Sequence, residues 1–143
     1  MKKMPPIEKV YEAWTAIADG RVKMNDGFAD VASSDGSKSY VVRFKDDNYS
    51  SDDNATYWQG YPGYPVIAVL MLQGRLPYDS VEAEQWKEIN WTEINNRFKR
   101  DYSAAVKEIE SQRNINPERA SEEAEKVMKA LEALPIVIKR KIK

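Results

Sequence analysis

From Val66 to Leu72 the chain reads V-I-A-V-L-M-L without one polar side chain. A segment of this kind has no side to turn toward water. As a strand it must be covered on both faces, and as a helix it must be covered nearly all round. The rest of the sequence therefore has to supply that cover. The run alone leaves its geometry open, because its β-branched residues suit a strand while Pro65 before it and Gly74 after it suit the first turn and the end of a helix. It is far too short to cross a bilayer, which takes roughly 20 apolar residues.

The segments that can cover it follow from periodicity. Ile7, Val10, Tyr11, Trp14, Ile17 and Ala18 recur at three- and four-residue spacing behind Pro6, which predicts an amphipathic helix over 7–19 that ends at Gly20. Tyr11 and Trp14 lie on its apolar stripe and are read as core. From Arg21 the period changes. Val22 and Met24 alternate, Asn25-Asp26-Gly27 signals a turn, Phe28 to Ser33 forms a second extended piece, and Ser34-Asp35-Gly36-Ser37 turns again. Tyr40, Val42 and Phe44 then point one way while Val41, Arg43 and Lys45 point the other. Three short antiparallel strands are expected.

Beyond Pro77 the pattern is helical. Asp79 followed by Glu82, and Asn90 followed by Glu93, read as caps, so a short helix at 80–89 is expected before a longer one from 91 to about 112. Trp91, Ile94, Phe98, Tyr102, Ala105 and Ile109 give the longer helix one apolar stripe. Asn116-Pro117-Glu118 starts another, with Ala120, Ala124, Val127, Leu131 and Leu134 on its stripe and Pro135 as its stop. The two are expected to form an antiparallel hairpin. The predicted fold class is α+β: an N-terminal helix, a small antiparallel sheet, a buried helix and a C-terminal helical hairpin. With 143 residues the chain is read as one compact unit, residues 1–78 forming an α/β module and 79–143 a helical extension packed on it.

The segment from Asp46 to Asn54 holds four aspartates, two asparagines and two serines. Asp46, Asn48, Ser50 and Asp52 alternate like the first ligands of an EF-hand loop, but Ser51 stands where that loop needs Gly and Tyr57 where it needs Glu. A solvated hairpin loop is the expectation. The pattern Ser34-Asp35-Gly36-Ser37-Lys38-Ser39-Tyr40-Val41-Val42, followed by this loop and then by Gly63-Tyr64-Pro65 before an apolar run, resembles the SWIM zinc-finger module. There a β-hairpin carries Cys-x-Cys and the start of the next helix carries Cys-x-His. Here Ser51-Asp52-Asp53, or Ser50-Ser51-Asp52 one residue earlier, stands at the first pair, and Gly63-Tyr64-Pro65 stands at the second. Zinc in a closed tetrahedral site takes nitrogen and sulfur donors, so the resemblance implies a degenerate, metal-independent module. It also implies that Val66 to Leu72 is a helix, and that the module contacts nucleic acid or a protein that acts on it.

The chain has no cysteine and no histidine, which removes thiol chemistry, the commonest metal ligand and the commonest general base. Gly-rich phosphate loops, nucleophile elbows and paired acidic helix motifs are also absent from the sequence, so neither catalysis nor a cofactor is expected. The net charge of -1 confines any nucleic-acid contact to local patches. Arg97, Lys99 and Arg100 form one such cluster, and Lys139, Arg140, Lys141 and Lys143 form another. Tyr49, Tyr57, Trp58, Tyr61 and Tyr64 gather around the acidic segment, either as a hydrophobic staple in place of the metal or as an exposed platform; in the second case Tyr57, Trp58 and Tyr61 are the residues expected to stack bases. The expected function is that of a non-catalytic binding module contacting DNA, RNA or a nucleic-acid-processing protein. The alternative is a structural or protein-interaction role, including homo-oligomerisation through the helical half. A cytoplasmic location without membrane association is expected.

Overall fold

The computed structural model describes residues 3–142. Helix α1 (Glu8–Ala18) is followed by strands β1 (Val22–Met24), β2 (Phe28–Ala32), β3 (Ser39–Lys45) and β4 (Asn48–Ser51), a single π-helical turn (Ala55–Gln59), helix α2 (Tyr64–Leu72), and helices α3 (Ser80–Glu84), α4 (Trp91–Arg97), α5 (Tyr102–Arg113) and α6 (Pro117–Ala133), before strand β5 (Val137–Ile138). The protein is α+β. No helix among the described residues is long and apolar enough to cross a membrane.

The first four strands make an antiparallel meander, and β5 joins its far edge parallel to β4, giving the order β1-β2-β3-β4-β5. Ala29 pairs with Val42, and Val42 with Ser51, so these side chains share a face with Val31 and Tyr49. That face is buried. The apolar run is helical, with Pro65 in the first turn and every residue from Pro65 to Met71 buried. Strands β1, β3 and β4 cover one side of α2, and α1 covers another. Helix α1 in turn packs on α3, α5 and α6, and one continuous set of buried apolar side chains runs from Val10 to Ile136.

Four sequence expectations are corrected. The acidic segment is more than a loop: Asp46 turns the chain at φ 55°, and Asn48 to Ser51 then return as β4, with Tyr49, Ser50 and Ser51 buried. The long helix from 91 to 112 is two helices, because Lys99 and Arg100 take left-handed φ of 52° and 65° and the Asp101 carboxylate restarts the chain by accepting the Ala104 amide at 3.1 Å. The helix expected over 80–89 stops at Glu84; Glu88 turns left-handed and its amide is held by the Asp19 carboxylate at 2.7 Å. The residues after Pro135 form β5, whose ladder is fixed by Val137 N donating to Asp47 O at 2.9 Å and Lys139 N to Tyr49 O at 2.8 Å.

Because Leu70 is fully enclosed between sheet and helix, Leu70→Ala leaves a void that the surrounding layers close only in part. The expected loss is about 2–5 kcal/mol of unfolding free energy in urea titration.

Candidate functional site

The surface worth testing for binding is built on a buried polar knot. Ser51, Asp53 and Thr56 are 4%, 5% and 2% exposed. Ser51 Oγ donates to Asp53 Oδ1, the Thr56 amide donates to Asp53 Oδ2 at 3.1 Å, and the Gly63 amide donates to Thr56 Oγ1 at 2.9 Å. The carboxylate thus ties the end of β4 to the π-helical turn, the Thr56 hydroxyl ties that turn to the start of α2, and the buried carboxylate is met by donors. Gly63 is needed there for space. A Cβ would collide with Asp53 Oδ2 and would lie 3.1 Å from Thr56 Oγ1. Gly63→Ala should therefore cost about 1–3 kcal/mol through overpacking, read as a lowered urea midpoint.

The knot projects the π-helical turn outward. Its Tyr57 and Trp58 rings meet edge to face with centroids 4.7 Å apart, and Trp58 is 64% exposed. Strand β5 delivers a cation onto them: the Arg140 guanidinium lies 5.3 Å from the Tyr57 centroid and 5.5 Å from that of Trp58. Lys139 and Arg140 line the hollow beside Trp58, while Arg43, Arg140 and Lys141 line the next one, beside Tyr57.

The remaining residues singled out in the sequence lie elsewhere. Tyr61 is half-buried beneath Lys3, whose Nζ is 5.8 Å from the ring. Arg97 lies over Phe98 at 5.2 Å and lines a groove with Glu93 and Arg113, and Lys99 and Arg100 occupy the exposed turn between α4 and α5. Neither hollow that Arg140 lines includes them. Lys143 lies outside the described residues. The acidic segment spends its oxygens internally, Asp47 on Arg75 at 2.6 Å and Asp52 on the Val41 amide at 2.8 Å. Among the described residues no group of three or more acidic side chains is placed to hold a metal ion.

Sequence reasoning missed a polar cavity of about 170 Å³ beside α1, lined by residues far apart in the chain that include Lys9, Glu12, Arg21, Tyr40, Asp53, Tyr64 and Asn95. Lys9 Nζ is 3.2 Å from Glu12 Oε2 and 4.8 Å from the Tyr102 centroid. Burial opposes the charge on Lys9, yet the Glu12 carboxylate together with Tyr102 and Tyr61 outweighs it, and the ammonium pKa is raised. For Glu12 burial dominates and pushes the carboxyl up, against the pull of Lys9. Burial likewise raises the Tyr64 phenol, with Arg21 opposing. Arg21 bonds Asp19 Oδ2 through Nε at 3.3 Å and the Ala32 carbonyl through Nη1, but its buried Nη2 and the buried Asn95 Oδ1 lack hydrogen-bond partners.

The family model described as Uncharacterised conserved protein UCP014422 matches residues 2–137. The chain belongs to that family. No curated protein and no solved structure matches it. The knot, the π-helical turn and every residue lining the cavity fall within the UCP014422 match, whereas Lys139, Arg140 and Lys141 lie just beyond it.

Burial raises the carboxyls of Glu12, Glu82 and Glu110 above their ordinary 4.5, so between that value and their folded pKa the folded chain holds more protons than the unfolded one. Stability then falls as pH rises through this window. In Glu12→Gln the decline should be shallower, as measured by unfolding free energies taken from pH 4.5 upward.

Proposed function

We propose that the protein is a non-catalytic binding module for single-stranded nucleic acid, centred on Trp58, Tyr57 and Arg140. The observation that carries this reading is the guanidinium of Arg140 within 5.5 Å of both ring centroids while Trp58 remains 64% exposed. An exposed indole offers a face on which any base can stack, and base–aromatic stacking is worth about 1–3 kcal/mol per base. Phosphates are met by Arg140, Lys139 and Lys141, with Arg43 adjoining, so the attraction is local on a chain of net charge -1. The resemblance to SWIM modules supports the same class of partner. A protein-interaction role is the second reading, and the specific feature favouring it is β5: a terminal strand of the sheet with Val137 50% exposed, able to take a further strand.

Anisotropy titrations of labelled oligo-dT and oligo-rU at several salt concentrations test the proposal. Trp58→Ala should weaken binding with the salt slope nearly unchanged, and Arg140→Gln should weaken it and reduce the slope by about 1. Failure of the unaltered chain to bind either oligonucleotide at low salt rejects the nucleic-acid reading and leaves the strand-addition surface as the better one.

A further inference from the structure

The cavity beside α1 is polar, roomy and incompletely satisfied, and it shares no residue with the Trp58–Arg140 surface. Its volume of about 170 Å³ is close to that of an engineered cavity of about 150 Å³ that admits benzene, so a ligand of roughly six heavy atoms fits. An apolar ligand does not suit the walls. Lys9 and Arg21 set two positive charges against the negative charges of Glu12 and Asp53. The Arg21 side chain also interacts with the Tyr64 hydroxyl, and the buried Arg21 Nη2 and Asn95 Oδ1 have no well-aligned hydrogen-bond partner within the protein. Orphaned donors and acceptors in a buried site cost free energy until something supplies the complementary groups.

The complement is specific. A guanidinium nitrogen asks for an anionic or strongly accepting oxygen, and an amide oxygen near a buried carboxylate asks for a donor, preferably a charged one. The charges of the lining side chains balance and Arg21 is already paired with Asp19, so a ligand that carries both groups and little net charge suits the site. From this we infer that the cavity is a binding site for a small zwitterion of the free α-amino-acid type, its carboxylate on Arg21 and its ammonium between Asn95 Oδ1 and Glu12. Lys9 holds Glu12 in place through their 3.2 Å ion pair. Tyr40 and Tyr64, whose rings meet edge to face at 6.4 Å, bound the space left for the ligand's side chain and limit it to a small one.

The experiment uses the full chain and isothermal titration calorimetry with glycine, alanine and serine, beside acetate and ethylamine as probes carrying one group each. Saturable binding of at least one amino acid, with acetate and ethylamine both weaker, is the expected result. Asn95→Ala removes an acceptor that has no hydrogen-bond partner within the protein, and should lower affinity about ten- to a hundredfold without lowering the melting temperature. Arg21→Gln should lower affinity for amino acids and acetate alike, and because it also removes the bonds to Asp19 and the Ala32 carbonyl it should lower the melting temperature as well. Absence of saturable binding by all three amino acids overturns the inference, as does acetate binding as tightly as they do. Unchanged affinity in folded Asn95→Ala and Arg21→Gln also overturns it, because binding would then lie elsewhere.

Discussion

A helix without a polar face sets the plan of this protein. Residues Val66 to Met71 are buried all round, so α2 needs the sheet on one side and another helix beyond it. The covering helix inherits the same demand. Val10 to Ala16 of α1 are all buried, and α3, α5 and α6 close over it. Full burial in α6 is confined to Ala120, Ala124, Val127 and Leu131, with Met128 and Ala130 partly buried beside them and the opposite face of the helix in water. Within this apolar stack Thr15 is the polar joint. Its single hydroxyl proton goes to the Trp86 carbonyl at 2.6 Å rather than to Tyr11 O at 3.2 Å, and its oxygen accepts the Trp91 indole at 2.8 Å. The two tryptophans, stacked at 6.3 Å, thereby hold the chain entering α4 against α1.

At the other end of α2, polar groups do the joining. The Tyr49 hydroxyl donates to Gln73 Oε1 at 2.6 Å and accepts from Arg75 Nη1 at 3.0 Å, while Arg75 reaches Asp47, so the β3–β4 turn is anchored to the end of the helix. At its beginning the Ser51–Asp53–Thr56 knot does the same work. A carboxylate is suited to that place because it accepts several donors at once, and in a buried setting each of those hydrogen bonds is worth more than at the surface. The π-helical turn that carries Tyr57 and Trp58 is thereby tied to the end of β4 and to the start of α2. The cavity arises from the same geometry, since Lys9 and Glu12 lie where α1 runs past the Asp53 knot and toward α4, at the boundary between two packed layers.

Much of this was legible locally. The alternation of Tyr40, Val42 and Phe44, the stripe from Ile7 to Ala18, and the caps at Asp79, Asn90 and Asn116 each mark what must face the core or where backbone amides need an acceptor, and both are properties of a few adjacent residues. The break after Arg97 was hidden because the stripe from Trp91 to Ile109 continues across it; two left-handed residues change the direction of the helix while Trp91, Ile94, Phe98, Ala105 and Ile109 all stay in or against the core.

By itself, then, the sequence determined that Val66 to Met71 would be buried, that Pro65 and Gly74 would bound the run, and that a short meander and amphipathic helices would cover it, whereas Leu72, expected to be covered with the rest, is 42% exposed. Tertiary structure alone decided three things. Asn48 to Ser51 became a strand because β3 offers it partners and Asp53 finds donors, against the polarity of its surroundings. Val137 and Ile138 became a strand because β4 left an edge open, and two residues carry no period of their own. The cavity gathers positions 9, 12, 21, 53 and 95, and no local pattern records which distant side chains will share a space once the layers close.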